Sequence, residues 1–394
     1  MKLLFVINTL TGGGAERALC NLTLALPAEI TTDILVNSTS ELDYPHRANV
    51  ISLQMEGQNK KGLMYHFKVA INRIITLNNL KQKGNYDACI SFMDSANILN
   101  VLTGKKYCKT ILSVRNVLSK CDTMGYRFLI WPAAWLLYKH ATVVTALSKG
   151  AELDLIKNFR VPPQKAVTIY NGYLFQNIQE RAREVPEKID FEKKSFYFLT
   201  VGRHTTQKGQ QHLIRAFAKV YQKYPQCRLI LLGQGERTGY FKKLAKDLEI
   251  EEVVLFPGFL KNPFSIAAHS DAFVFPSIFE GFGNVMIENM ICGLPVIAAD
   301  FRAGAREILA PDTDFRLEQT KDIEYAEYGL LTPVCSGKTY MAEDALEWQE
   351  KCLEKAMSLY VSDADLREHY REKAQERASH FSIEKTVQEW LKLC

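Results

Sequence analysis

Apolar residues along this chain fall into short β-branched runs bounded by turn residues, with amphipathic stretches between them. In the first half the runs are 2–8, 31–37, 49–53, 86–93, 109–116, 141–148 and 166–172. In the second half they are 197–203, 227–235, 253–259, 271–277 and 294–300. Between them, segments such as 209–224 place Leu213, Phe217 and Val220 on one helical stripe. Strand–helix alternation of this kind predicts an α/β fold of parallel sheets with helices on both faces. The stretch 176–195 is charged and nearly free of apolar periodicity, so it reads as a linker between two doubly wound domains. The expected organisation is a first domain over 1–178, a linker over 179–195 and a second domain over 196–378. A final helix over 379–394, with Phe381, Ile383, Val387 and Trp390 available for packing, is expected to fold back on the first domain.

A chain of 394 residues suits two such domains, since single cores rarely extend over so many residues. With 47% hydrophobic and 24% charged residues, and no run of eighteen apolar residues, it reads as globular without a transmembrane span. The start, "MKLLFVINTL", lacks the pattern of a signal peptide and reads as a first strand. Nine cysteines without a CxxC pair suggest reduced cytosolic thiols, with neither disulfides nor a zinc site. Charge is uneven. Residues 1–180 carry 20 Lys/Arg against 12 Asp/Glu, or +8, and residues 181–394 carry 29 against 32, or −3. An anionic partner of the first half, nucleic acid or a membrane surface, is one reading; scattered solvated lysines are the plainer one.

In open α/β sheets ligands bind beyond the carboxyl ends of the strands. That rule draws attention to the loops at 12–14, 115–116, 203–208, 233–236, 258–260 and 280–284, which two facing domains would present to a common cleft. Gly12, Gly13 and Gly14 at a strand–helix junction allow close backbone approach to a bulky or anionic ligand. Arg17 stands where a dinucleotide fingerprint needs its third glycine, so that motif is not matched. Arg203 and Lys208 flank one strand–helix loop, and a guanidinium fork with an ammonium suits a diphosphate. Two solvated cations are the alternative. Glu288 falls within "VMIENMI", where an unpaired carboxylate is costly; it needs donors, either a salt bridge or ligand hydroxyls.

The combination of "GGGAER", "VGR" with "KG", "LLGQGE", "FPGF" and "FPSIFEGFGNVMIENMICGLPVIAAD" resembles the retaining GT-B glycosyltransferases of glycosyltransferase family 4. Glu280 and Glu288 match that family's E-x7-E motif. The resemblance implies two Rossmann-like domains facing across a cleft, and a nucleotide-sugar donor, UDP favoured, with no cofactor and no metal. Arg203 and Lys208 would then hold the donor diphosphate, and Glu280 the hydroxyls of the transferred sugar. Glu288 would accept from the ribose hydroxyls, and the backbone of Phe282, Gly283 and Asn284 would contact sugar or phosphate oxygens. The backbone near Phe259 and Leu260 would read the base, Gly233 would leave room for the nucleoside, and Gly13 and Gly14 would approach phosphates and acceptor. Many relatives carry a histidine after the fifth strand, where this chain has Arg115 and Asn116; those two are assigned to the acceptor or sugar side.

Within the family the chain looks most like bacterial enzymes that build lipid-linked oligosaccharides, O-antigen or capsule. Acceptors there are saccharides, in many cases on a polyprenyl diphosphate, and with +8 on its first half this chain is expected to be cytoplasmic and to associate peripherally with the anionic inner face of the membrane. Segment 125–142, with Trp131 and Trp135, reads as a buried helix or an interfacial one; 64–84, with Lys68, Arg73, Lys81 and Lys83, is similarly amphipathic. The two Asp-x-Asp stretches at 312–314 and 363–365 read as loop and helix-start acids rather than metal ligands. A non-catalytic sugar-nucleotide or saccharide binding protein of the same fold is the alternative function. No basic aromatic stripe supports nucleic-acid binding.

Overall fold

The computed structural model describes residues 1–54, 63–121, 123–301, 303–317 and 320–394, with the side chains of the helix Leu63–Lys83 described from Val69 onward. Lys68 therefore lies outside the described side chains. The chain divides into two compact units, Met1–Tyr173 with Phe381–Cys394, and Leu174–His380.

The first unit contains β1 (Lys2–Val6), β2 (Thr31–Val36), β3 (Asn49–Ser52), β4 (Ala88–Phe92), β5 (Lys109–Val114), β6 (Val143–Ala146) and β7 (Ala166–Thr168). They form one parallel sheet in the order β3-β2-β1-β4-β5-β6-β7. The order reverses between β1 and β4, which opens a crevice at their carboxyl ends. β4 is buried along its whole length, as expected of a strand covered on both faces. The helix Ile383–Leu393 closes this unit, capped by the Ser382 hydroxyl accepting from the Lys385 N–H. Its Trp390 lies 5.7 Å from Phe92, and Phe381 lies 5.7 Å from Tyr170.

The second unit contains β8 (Phe196–Val201), β9 (Cys227–Leu232), β10 (Val254–Gly258), β11 (Ala272–Phe275), β12 (Val296–Ala299), β13 (Glu324–Ala326) and β14 (Gly329–Thr332). The sheet order is β10-β9-β8-β11-β12-β14-β13, reversing between β8 and β11. Only the β13–β14 pair is antiparallel.

All twelve strands expected from the apolar runs are present, each ending before the expected run does. The hairpin β13–β14 is additional. Its turn, Glu327–Tyr328, carries none of the Gly, Asn or Pro signals that mark a hairpin in sequence. The linker reading of 179–195 is corrected in part, because the unit boundary falls after Tyr173 and the helix Phe175–Ala182 belongs to the second unit. That helix buries Ile178, and its Arg181 guanidinium lies 5.1 Å from the Phe264 ring. One buried residue and an arginine stem hold it in place, too little apolar pattern to show in sequence.

The helix Gln210–Lys223 buries Leu213, Phe217 and Val220 as expected, but the polar Gln210, Gln211, His212 and Arg215 are buried too. Arg215 donates to Glu350 Oε1 at 2.9 Å and to the carbonyls of Met341, Asp344 and Ala345. A buried guanidinium is tolerable here because charge and carbonyl acceptors surround it. Lys81 is a similar case. It is 1% exposed and donates to the Asn100 and Gly104 carbonyls, at the end of the helix Asp94–Leu102. Lys81, one of the cations along the amphipathic stretch 64–84, thus points inward, and its ammonium satisfies carbonyls that a helix end leaves open.

Candidate active site

In the second unit, four adjacent strands deliver the candidate residues to one end of the sheet. Gly233 follows β9, Phe259 and Leu260 follow β10, Arg203 and Lys208 follow β8, and Glu280 to Asn284 follow β11. The loops after β8 and β11 are clasped together. Ile278 N–H donates to the Gln207 carbonyl at 2.8 Å, and Gln207 Nε2 donates to the Phe279 carbonyl at 2.9 Å. Gly209, with φ +64°, allows this approach; a Cβ there would stand 2.0 Å from the Pro276 carbonyl oxygen. Lys208 Nζ consequently reaches Glu280 Oε1 at 2.5 Å, with side chains 17% and 14% exposed. The ammonium also lies 5.5 Å from the Phe275 ring. Arg203 is exposed and has no side-chain partner among the described residues.

The helix Asn284–Ile291 starts directly after Gly283 and points its first turn toward the Glu280 loop. Glu288, one turn further, is 6% exposed, and Cys292 beside it has its thiol pushed up to about 12 by burial and by the Glu288 charge. Phe282 and Leu260 bury their side chains, whereas Phe259 is exposed. Gly233 has a backbone reason for lacking a side chain: a Cβ would stand 2.1 Å from the Gly202 carbonyl oxygen. Neighbouring loops need that contact to come together. His204, absent from the sequence reading, anchors the β8 loop with Nδ1 2.8 Å from Thr238 Oγ1, and burial lowers its pKa.

The first unit assembles a second set at its own switch point. Arg115 ends β5 with its guanidinium 5.2 Å from the Phe92 ring, donating to Ser113 Oγ at 3.3 Å and to Asn171 Oδ1. Its Nε is buried without a partner, and burial lowers its pKa to about 10 against the raising effect of Tyr173 and Glu16. Arg73 donates to Asn8 Oδ1 at 2.9 Å, and burial likewise lowers it to about 10. Asn8, at the end of β1, also exchanges hydrogen bonds with Ser95 Oγ. Asp94 accepts from the Tyr126 and Tyr138 hydroxyls at 3.0 and 3.1 Å, yet its burial raises the carboxyl pKa. Asn116 stands beside the Tyr126 hydroxyl. At the start of the helix Gly14–Ala25, a Cβ on Gly13 would lie 2.3 Å from Glu16 Oε2. A carboxylate of the chain itself thus already occupies that helix start.

The loop after β4, with Asp94 and Ser95, was not singled out from sequence. The signal was available, since β1 and β4 flank the switch point where the strand-end rule applies. Elsewhere His212, Cys335 and Glu347 bring ligand atoms within 4.8 Å of one another. His212 Nε2 accepts from the Gly337 N–H at 3.2 Å, so the ring proton sits on Nδ1 and is donated to Glu350 Oε1 at 2.8 Å. A metal on Nδ1 would leave Nε2–H facing another donor, the reverse of what supports a histidine ligand. Of the Asp-x-Asp stretches, Asp314 pairs with Arg316, and Asp363 caps the helix Ala364–Ala378.

Residues 12–173 match the family model "Glycosyltransferase Family 4", and residues 182–330 match "Glycosyl transferases group 1". An uncharacterized glycosyltransferase of Methanocaldococcus jannaschii is 33% identical over 347 residues, covering 84% of this chain and 85% of that protein. The N-acetylgalactosamine-N,N'-diacetylbacillosaminyl-diphospho-undecaprenol 4-alpha-N-acetylgalactosaminyltransferase of Campylobacter jejuni is 29% identical, over 99% of this chain and 98% of its own length. Among solved structures, Anabaena HepE in complex with UDP superimposes with a TM-score of 0.73 at 20% identity, over 100% of this chain and 99% of that one. Two Rossmann-like units, each matched by its own family model, and a relative 33% identical over 84% of the chain lead to one conclusion: the chain belongs to the GT-B glycosyltransferases, with a family 4 first unit and a group 1 second unit.

Proposed function

We propose that this glycosyltransferase transfers a hexose or N-acetylhexosamine, with retention of anomeric configuration, from a UDP-sugar to a saccharide on a polyprenyl diphosphate. The Lys208–Glu280 pair at the β8/β11 switch point carries the reading. A cation held by a carboxylate can exchange partners when a donor arrives: the ammonium turns to the diphosphate and the carboxylate to the sugar hydroxyls. Arg203 supplies a second, mobile cation, and the first turn of the helix Asn284–Ile291 presents N–H groups to the same anion. Glu288, deep on that helix, is assigned to the ribose hydroxyls, and the exposed Phe259 to the base.

In the proposed step the bond between the anomeric carbon and the diphosphate oxygen breaks, and the nucleoside diphosphate leaves with the electron pair. The acceptor oxygen bonds the anomeric carbon on the same face and passes its proton to a departing phosphate oxygen. Arg203 and Lys208 stabilise the charge that builds on that phosphate, the task a divalent ion performs in other transferases. Two guanidiniums of the first unit, the half-buried Arg73 and the buried Arg115, support an anionic acceptor. The Campylobacter relative acts on a diphospho-undecaprenol saccharide, and HepE was solved with UDP and with UDP-glucose. The setting proposed is peripheral, at the inner face of the cytoplasmic membrane. Among the described residues no helix is long and apolar enough to cross a membrane.

Nucleotide release from UDP-, GDP- and ADP-sugars, with a membrane lipid extract as acceptor and a chelator in parallel, tests the reading. UDP release that the chelator leaves intact, with an axial-to-axial or equatorial-to-equatorial product, is expected. Tight donor binding without turnover would instead identify a non-catalytic binding protein.

A further inference from the structure

The helical stretch 124–140 runs through Tyr126–Ile130, Trp131–Leu137 and Tyr138–His140 without a break. Its inner face is complete. Ala134 and Tyr138 are buried, and Ile130, Trp131 and Leu137 pack on the core of the first unit. Trp131, which the sequence marked as a possible interfacial residue, donates its Nε1–H to the Leu118 carbonyl at 2.9 Å. The outer face is apolar as well, and among the described residues only the Arg160 guanidinium, over the Trp135 ring, is recorded against it. Phe128 is 67% exposed, Leu129 71%, Leu136 51% and Trp135 36%. Together with Pro132 they follow the spacing i, i+1, i+4, i+7 and i+8, a single stripe along the helix. A folded chain leaves such a stripe in water only at a cost, and contiguous exposed apolar surface marks an interaction site.

Charge decides the partner. Residues 101–150 carry eight Lys/Arg and one Asp, a local excess of seven positive charges. Arg127 and Lys139 stand at the two ends of the stripe, and the Arg160 guanidinium lies 4.0 Å over the Trp135 ring. A second copy of the chain docking through this face would bring two such basic segments together, which like-charge repulsion opposes. An anionic lipid headgroup layer meets both requirements, taking the cations at the phosphates and the apolar side chains at the acyl boundary.

We infer that Phe128, Leu129, Trp135 and Leu136 form the insertion face by which the first unit docks on an anionic bilayer, with this helical stretch lying in the plane of the membrane. The inference rests on the membrane setting proposed above and assigns it a surface. Docking there brings a lipid-linked acceptor to the enzyme by diffusion in two dimensions, without the lipid leaving the bilayer.

The test uses the full chain and vesicles of phosphatidylethanolamine with about one quarter phosphatidylglycerol. The double variant Phe128→Asp with Leu129→Asp is compared with wild type by co-sedimentation at low salt. Wild type is expected in the pellet, and the variant's partition coefficient is expected to fall at least ~10-fold. Turnover with a short-chain, water-soluble acceptor is expected to be unchanged, while turnover with vesicle-embedded acceptor drops with binding. Both side chains are exposed, and an unchanged melting curve verifies that the fold is intact. Wild-type binding with an equally bound variant overturns the assignment of this face and leaves the membrane setting standing. No wild-type binding overturns both. A wild-type dimer that the variant dissociates shows that the stripe serves self-association and also overturns the inference.

Discussion

In the second unit the cation at the carboxyl end of the sheet, Lys208, lies 2.5 Å from the Glu280 carboxylate. In the first unit the corresponding cations, Arg73, half-buried, and Arg115, buried, lie against neutral oxygens, with no carboxylate at ion-pair distance among the described residues. The two switch points are alike in topology and opposite in charge balance. A compensated cation is stable without ligand and acts by exchanging partners. An uncompensated buried guanidinium raises the free energy of the folded state until an anion arrives. Under the function proposed above, the balanced pair serves a ligand whose charge changes during reaction, and the unbalanced guanidiniums one whose charge is constant.

The largest effect is expected from breaking the balanced pair. Lys208→Ala and Glu280→Ala should each lower turnover about 100- to 1,000-fold while melting as the wild type does, measured by nucleotide release. Full activity in both variants would remove the pair from the site. A smaller effect is expected from neutralising the unbalanced cation. Arg115→Gln should raise the KM for the acceptor about tenfold, leave the donor KM in place, and keep or raise the melting temperature, because an uncompensated buried charge is gone. A lower melting temperature with an unchanged acceptor KM would make Arg115 a structural residue only.

The smallest effect concerns His204, on which the Lys208 loop leans. Burial lowers its pKa from the ordinary 6.5, so the unfolded chain takes up a proton at a pH where the folded chain does not. The stability it contributes is therefore complete above about 6.5 and is lost as pH falls through the folded value. Melting temperature followed from neutral pH into acid should decline more steeply for wild type than for His204→Gln. Parallel curves would mean that this histidine contributes nothing to the pH dependence.

Much of this molecule was legible before its fold was known. Runs such as "AFVFP" and "LPVIAAD" are apolar without alternation because β11 and β12 are covered on both faces, and strand placement followed directly. Strand placement then fixed which loops lie at carboxyl ends, hence Arg203, Lys208, Glu280 and Gly283. Asn8, Arg73, Ser95 and His204 escaped because no local pattern distinguishes them from solvated polar residues. Each matters only through a partner distant in sequence, as Arg73 does through Asn8 and Asn8 through Ser95.

The sequence by itself determined the two-unit α/β plan, the strand-end loops and the residue types offered to a donor. These depend on periodicity and turn chemistry, which act over a few residues. Only the tertiary structure decided the charge state of the sites. It set Lys208 on Glu280, left Arg115 without an ion pair among the described residues, and turned Lys81 inward to helix carbonyls. It also buried Gln210, Gln211, His212 and Arg215 of the helix Gln210–Lys223 and left Phe128 and Leu129 in the open. Burial and pairing of charge are set by groups far apart in the chain, and in a low-dielectric interior a few ångströms decide whether a cation is satisfied or waiting for one.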